Sequence, residues 1–256
     1  FDVKFGASEY SIGIGGIHSK EKCRGEVSDS RYVLIDADVA SQYPKIILSR
    51  GLYPKALGAD FLDVYGEILA TRLAAKKSGD KTTDKGLKIA VNGAYGKLGS
   101  AYSVLYAPHL LTTVTITGQL SILMLIERAE AAGIPVISGN TDGVVFKCPR
   151  SMFEGIGSEG SDKDRLLGGK LKEITDWWEN LTGFSLEFAE YQAIYNRDVN
   201  CYMAIKPNGK AKGKGILSNH WHPETPDYDP GREQMKKNPQ MTVCADAALA
   251  HILHGT

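Results

Sequence analysis

The first strongly apolar segment of the chain is RYVLIDADV, residues 31–39, whose aliphatic and β-branched side chains predict a buried strand with Asp38 near its end. We expect Tyr43-Pro44 to end this extended segment, because the residue before a proline avoids the helical region. The apolar positions then change to helical spacing over residues 61–77, which predicts an amphipathic helix.

A second helix is predicted to follow the polar turn SGDKTTD, with Thr83 or Asp84 as its N-cap and an end near Tyr95, so that the two helices form a hairpin. Further along, the pattern predicts a long buried helix over 110–132 ended by Gly133, a β-hairpin at GNTDG (139–143), a helix over 165–181, strands over 186–205, a turn-rich segment at 222–231 and a helix over 242–254. This order of elements predicts an α+β fold.

Composition narrows the class of protein. The 256 residues are 43% hydrophobic and 23% charged, and the formal net charge is zero, which is ordinary for a globular protein. No apolar run approaches the roughly 20 residues that cross a bilayer, so we expect no membrane association. The four cysteines are scattered without a CxxC pair, which argues against a zinc site or a disulfide framework and favours a reducing compartment, the cytoplasm. Because the chain starts at Phe1 rather than Met, we expect it to be a piece of a longer protein.

Positive charge is concentrated in KPNGKAKGKG, residues 206–215, which contains four lysines and no acid. A nucleic-acid binder is usually basic overall, and this chain is neutral. Composition alone therefore favours a solvated lysine loop over a nucleic-acid contact.

Two aspartates stand at predicted strand ends. Asp38 closes the apolar strand, and Asp142 lies at the tip of the GNTDG hairpin. If both strands belong to one sheet, the two carboxylates emerge at the same edge and repel each other unless cations neutralise them. A pair of Mg²⁺ ions would do so and would support displacement at phosphorus. The alternative is that Asp142 is only a turn residue and Asp38 only a strand cap.

The second predicted helix carries Lys88, Asn92 and Tyr95 on one face, at positions i, i+4 and i+7. A cation, an amide and an aromatic ring suit a nucleotide better than a protein core. On the preceding helix, Arg72 and Lys76 at i and i+4 would add two cations toward the same polyphosphate. A solvent-facing charged stripe is the alternative.

Three segments resemble the motifs of family B DNA polymerases and occur in the family's order. DVASQYP (38–44) resembles motif A, D-x-x-S-L-Y-P; KIAVNGAYG (88–96) resembles motif B, K-x-x-x-N-S-x-Y-G; and GNTDG (139–143) resembles motif C, D-T-D-S. The resemblance spans roughly residues 13–215 and is nearest to phage and plasmid members.

The resemblance implies a right-hand polymerase fold with an antiparallel palm sheet, a two-helix fingers hairpin and a small thumb. Its segments are a junction at 1–30 like the one that joins exonuclease and polymerase regions, palm at 31–60 and 97–195, fingers at 61–96 and a thumb-like region at 196–256. No acidic exonuclease set is visible, and the short distance between motifs A and B leaves no room for a terminal-protein insertion.

Residue roles follow from the resemblance. Asp38 and Asp142 resemble the catalytic metal ligands, and the Val39 carbonyl would complete a metal shell. The remaining implied roles are those of Tyr43 as the steric gate against ribose, Lys88, Arg72 and Lys76 as triphosphate ligands, Asn92 and Tyr95 as the lining of the nascent base pair, Tyr202 at the primer terminus, and Lys212 and Lys214 on the duplex backbone. This last implication overrides the solvated-loop interpretation.

The chain departs from the family pattern at several positions. Asn140 replaces the first motif C aspartate, which leaves two carboxylates and a lower site charge. Asn200 stands where the family has the lysine of K-x-Y. The other departures are Gly143 for serine, Gln42 for leucine, Gly93 for serine and Gly13 for the tyrosine of Y-x-G-G.

The implied function is addition of dNMP from dNTP to a primer 3′-OH, with two Mg²⁺ or Mn²⁺ ions. The implied partners are primer-template DNA and dNTP; we expect a monomer, associated with an exonuclease segment or replication proteins, in the cytoplasm of the cell or of a viral host. Two alternatives stay open: a metal-dependent nuclease that uses the same carboxylates, and a DNA-binding polymerase fragment with weak or no catalysis.

Overall fold

The computed structural model describes residues 1–158, 164–218 and 242–255. The strands, in chain order, are β1 (Asp2–Phe5), β2 (Ser8–Ile12), β3 (Ile17–Ser19), β4 (Arg24–Val27), β5 (Tyr32–Val39), β6 (Val136–Asn140), β7 (Gly143–Pro149), β8 (Leu186–Tyr191), β9 (Ala193–Asp198), β10 (Cys201–Ile205) and β11 (Ala211–Lys214). The helices are α1 (Gln42–Ser49), α2 (Asp60–Ser78), α3 (Lys81–Lys97), α4 (Pro108–Ala131), α5 (Gly169–Thr182) and α6 (Thr242–His254).

The strands form two antiparallel sheets. The larger has seven strands in the order β1-β2-β3-β6-β7-β5-β8, and the smaller has four in the order β11-β10-β9-β4. Segment 1–30, predicted as a junction, supplies strands to both sheets. Helices and antiparallel sheets occur together in this way in an α+β fold, so that prediction is confirmed.

Strand β5 separates two hydrophobic layers, because successive side chains of a strand point to opposite faces. Val33, Ile35 and Ala37 are buried in the main core with the helices. Leu34, on the other face, joins a second cluster with Tyr191 and residues of the small sheet. Residues 36 and 38 share the face of Leu34, so both aspartates of β5 lie on the side of the sheet that the small sheet partly covers.

Helix α4 corrects the expectation about the length of the apolar segments. By length and composition it is the one described helix that could cross a bilayer, although the core helix of a globular protein passes the same test. Its buried residues include Val114, Ile122 and Leu125, and its Ser121 carbonyl accepts a 2.6 Å hydrogen bond from Trp178 Nε1 of α5. The prediction that no apolar run nears this length is wrong, and these contacts are those of a core helix.

Helix α1 corrects the expectation about Pro44. The strand ends at Val39, Ser41 adopts a left-handed conformation with φ 57°, and the helix begins at Gln42. Pro44 therefore lies in the first turn, where backbone N–H groups have no acceptor within the helix and a proline is tolerated. Burial of Ile46 and Ile47 in the core stabilises the helix.

The predicted helical hairpin is confirmed as α2 and α3, but its capping residue differs. Asp80, rather than Thr83 or Asp84, is the N-cap, and its carboxylate accepts hydrogen bonds from the N–H groups of Thr82 and Thr83. Asp84 is thereby available for Arg72, as described below. The helix predicted over 165–181 begins later, at Gly169, and the predicted turn-rich segment at 222–231 lies outside the described residues.

Candidate active site

The structure brings the two predicted aspartates to one edge of the large sheet. Asp38 on β5 is directly opposite Gly143 on β7, so Asp142 in the preceding turn lies next to it. The Val39 N–H donates a 2.7 Å hydrogen bond to the Asp142 carbonyl, which ties the turn to the strand end. A Cβ at position 143 would lie 2.5 Å from Asp38 Oδ1, so the glycine leaves room for that carboxylate.

The turn that carries Asp142 is tight. It consists of Thr141 and Asp142 between β6 and β7, with Thr141 at φ 57°. The glycine-rich segment 13–19 packs against it: Thr141 N–H donates to the Ile17 carbonyl at 2.8 Å, and a Cβ at Gly16 would lie 2.7 Å from Thr141 Oγ1. Gly16 therefore lets the backbone of this segment approach the acidic turn.

A third aspartate, Asp36, was not predicted to belong to the site. It is buried on the same face as Asp38, accepts a hydrogen bond from the Tyr191 hydroxyl, and lies 3.1 Å from Lys212 Nζ. Burial, and then the negative charge of Asp36, raise the pKa of Asp38 to about 7, while Lys212 opposes the shift. Burial also raises the pKa of Asp142, against the positive charges of Lys214 and Lys88.

A fourth acid, Glu187, also escaped the sequence analysis. It lies on β8 directly opposite Asp38, and opposed residues of an antiparallel pair project from the same face. Its carboxylate forms an ion pair with Lys76 of α2 at 2.5 Å. The predicted triphosphate ligand Lys76 is thus already paired to the strand beside Asp38.

The other predicted cations of the fingers differ in their surroundings. Arg72 is buried; its Nε lies 3.1 Å from Asp84 Oδ1, and its guanidinium donates a 2.9 Å hydrogen bond to Ser41 Oγ. Lys88 and Asn92 are exposed on α3, and Lys88 is near enough to Asp142 to lower its pKa. The structure therefore brings Lys88 to the acidic edge and Arg72 to the turn after β5.

Two predicted aromatic residues stack on each other. The ring centroids of Tyr43 and Tyr95 are 4.1 Å apart, with an interplanar angle of 30°. Tyr43 donates a 3.3 Å hydrogen bond to the Gly15 carbonyl, and the Tyr95 hydroxyl lies 2.7 Å from Thr115 Oγ1. The pair joins α1, α3 and α4 beside the acidic edge.

The lysines of the small sheet lie above the same edge. Lys212 Nζ is 3.1 Å from Asp36 and 3.9 Å from Asp38, so its charge is engaged within the protein. Lys214 is opposite Tyr202 on β10, with its ammonium 5.9 Å from the ring centroid. The predicted loop of lysines is therefore a β-hairpin that faces the aspartates.

Oxygen donors at this edge suit Mg²⁺ in kind, because Mg²⁺ prefers carboxylate and carbonyl oxygens and keeps part of its shell for water or phosphate. The Asp38 side chain is 54% exposed and so accessible to an ion. Across residues 1–158, 164–218 and 242–255, no group of three or more His, Cys, Asp or Glu side chains forms a metal cluster.

Carboxylates at a sheet edge with cationic side chains near them are of the kind that phosphate-bearing substrates and their metal ions use. The chain is 28% identical over 184 residues to DNA polymerase II of Escherichia coli K12, covering 60% of this chain and 22% of that protein. It is 30% identical over 136 residues to DNA polymerase 1 of Saccharolobus solfataricus, covering 52% of this chain and 13% of that protein. No family model matches the chain.

The fold also resembles that of a DNA polymerase of known structure. The structure of the family B DNA polymerase from Pyrobaculum calidifontis superposes with a TM-score of 0.54 over 83% of this chain and 29% of that one, at 17% sequence identity. The fold is thus that of a family B DNA polymerase, and the chain spans about a fifth or less of the curated relatives named above. The curated matches named above are thus to DNA polymerases, and the structural match is to a family B DNA polymerase.

Proposed function

We propose that this chain is the polymerase portion of a phage- or plasmid-type family B enzyme, and that it adds dNMP from dNTP to a primer 3′-OH under the direction of a template. The observation that carries the proposal is the meeting of Asp38 and Asp142 at one sheet edge. Similarity to DNA polymerases supports it independently.

In the proposed reaction the primer 3′-oxygen forms a bond to the α-phosphorus of the dNTP, the bond to the β-phosphate oxygen breaks, and pyrophosphate leaves. Asp38 and Asp142, with the Val39 carbonyl, would hold two Mg²⁺ ions. When bound, such ions lower the pKa of the attacking hydroxyl and stabilise charge on the transferred phosphate. Positioning and charge neutralisation contribute most to such a reaction.

The protein's own cations take the triphosphate in this proposal. Lys88 is exposed and has no carboxylate to exchange among the ion pairs of the described residues, so it is available to the phosphates. Arg72 and Lys76 must first exchange their partners, Asp84 and Glu187, for phosphate oxygens. Closure of the α2–α3 hairpin on a correct base pair would supply that exchange.

The remaining roles concern sugar, base and duplex. Tyr43, held by its stack on Tyr95, would pack under the deoxyribose and exclude a 2′-hydroxyl, while Asn92 and Tyr95 would line the base pair. Tyr202 would contact the primer terminus. Lys214, and Lys212 once released from Asp36, would contact the duplex backbone, where phosphate charge dominates affinity.

A DNA-binding fragment with weak or no catalysis is the second candidate. One observation favours it: Arg72 and Lys76, two of the three cations proposed for the triphosphate, already have carboxylate partners within the chain. Incorporation of labelled dNTP on a primed template with Mg²⁺ separates the candidates. A polymerase lengthens the primer, a nuclease shortens it, and a binding fragment retards it on a gel without changing its length.

A further inference from the structure

Two asparagines that depart from the family pattern contact each other, although 60 positions separate them. Asn140 ends β6 and immediately precedes the Thr141-Asp142 turn, and Asn200 lies in the turn between β9 and β10. Asn140 Nδ2 donates hydrogen bonds to the Val199 carbonyl at 3.2 Å and to Asn200 Oδ1 at 3.3 Å. Its Oδ1 accepts a 3.2 Å hydrogen bond from the Thr141 hydroxyl.

We propose that Asn140 and Asn200 act as one positioning unit, a neutral amide tether that holds the acidic Thr141-Asp142 turn against the β9–β10 turn. The proposal rests on the proposed polymerase function. Where the resembled motifs have an aspartate and a lysine at these positions, this chain has a neutral residue at both, so the two departures are complementary replacements within one contact.

The Val199 carbonyl is one reason why an amide suits position 140. Its oxygen accepts a hydrogen bond from the Asn140 NH₂ group. A carboxylate at 140 has no hydrogen to donate, so two oxygens would oppose each other at about the same distance. It would also add a negative charge beside Asp38 and Asp142, unless a cation at position 200 neutralised it.

The tether joins the two sides of the proposed reaction. Asn140 is two residues from Asp142, and Asn200 is two residues from Tyr202, the proposed primer contact. Loss of the tether should therefore misplace Asp142 relative to the primer and lower kcat. It should leave the KM for dNTP unchanged, because the cations proposed for the triphosphate belong to α2 and α3 and not to the two tethered turns.

The test is a double-mutant cycle in steady-state primer extension. We expect Asn140→Asp to lower kcat about tenfold, Asn200→Lys to lower it about threefold, and the double variant to return within about threefold of wild type. Asn140→Asp with Asn180→Lys is the matched control, since Asn180 is exposed on α5 and gains the same charge away from the site. Circular dichroism melting checks that every variant folds.

Recovery in the double variant and not in the control, with an unchanged KM for dNTP, supports the tether. Losses that multiply in the double variant, or equal recovery in the control, would overturn it. The cycle is repeated on urea unfolding, which does not depend on activity. A wild-type chain that extends no primer would refute the proposed function but not the tether. Coupling between positions 140 and 200 in the unfolding free energies would then still support the tether. Additive effects of the two substitutions on unfolding would refute the tether.

Discussion

Arg72 offers a sharp test of how the helical hairpin is joined to the sheet. Its guanidinium bridges Asp84 of α3 and Ser41 of the β5–α1 turn, and its side chain is only 10% exposed. Arg72→Met keeps an unbranched apolar stem but removes both hydrogen bonds and leaves a partly buried carboxylate without its partner. Charged hydrogen bonds of this kind contribute about 1.5–3 kcal/mol each, and hydration of the half-buried Asp84 reduces the loss, so we expect a cost of about 2–3 kcal/mol in unfolding free energy.

The size of the chain converts this cost to a melting shift. An unfolding entropy of about 2.1 cal/mol/K per residue gives about 540 cal/mol/K for the whole chain, so 1 kcal/mol lowers Tm by about 2 °C. Arg72→Met should lower Tm by about 4–6 °C and Asp84→Asn by about 2 °C in differential scanning calorimetry. Glu67→Gln, at an exposed site on α2, is the control and should change stability by no more than about 0.5 kcal/mol. A Tm for Arg72→Met equal to that of wild type would refute the bridge.

Two further predictions concern the acidic edge and its neighbours. Tyr43→Ala should raise ribonucleotide incorporation about tenfold or more, whereas Tyr43→Phe should keep the discrimination of wild type. The reason is that the ring of Tyr43, which packs against Tyr95, is the proposed barrier to the 2′-hydroxyl. Equal discrimination by all three proteins in single-nucleotide extension would refute the gate. Asp38→Asn should stabilise the protein in EDTA at about pH 8 by about 1 kcal/mol, a value reduced because the side chain is 54% exposed. The reason is that the raised pKa of Asp38 disfavours its charged form in the folded protein. The gain should fade as pH drops from about 7 to 4, and urea titrations in which it grows in acid would contradict this.

The sheet edge could be predicted because each of its two parts is encoded by one short, continuous sequence segment. A nine-residue apolar run defines β5, and two apolar runs around GNTDG define β6 and β7. The local pattern gave the hairpin but not the backbone of its turn, where the positive φ belongs to Thr141. The packing of segment 13–19 against the turn outweighs the local preference for glycine there.

Asp36 and Glu187 could not be found in the same way. Asp36 stands in the middle of an apolar run, and its partners Tyr191 and Lys212 are more than 150 positions away. Glu187 belongs to the site only through the register of β5 against β8, which no local signal specifies. Helix α1 was missed for a related reason, since burial of Ile46 and Ile47 in the core outweighs the preference imposed by Pro44.

The contact between Asn140 and Asn200 could be recognised only by combining the sequence with the structure. Each residue was recognisable alone as a departure from a motif. Their hydrogen bond in the fold makes them one feature with a physical explanation. The cations of the α2–α3 hairpin differ from this case. Their helical spacing predicted a shared face, but it did not predict the carboxylates that Arg72 and Lys76 contact.

Primer extension by the Asp38→Asn and Asp142→Asn variants tests the central claim most directly. Both substitutions keep the shape of the side chain and remove a negative charge from the edge where the two residues meet. Wild type should extend a primed template with Mg²⁺; each variant should be slower by about 100-fold or more while binding the same DNA within about threefold, and Asp63→Asn at an exposed site on α2 should match wild type. Extension by Asp142→Asn at the wild-type rate would contradict the account.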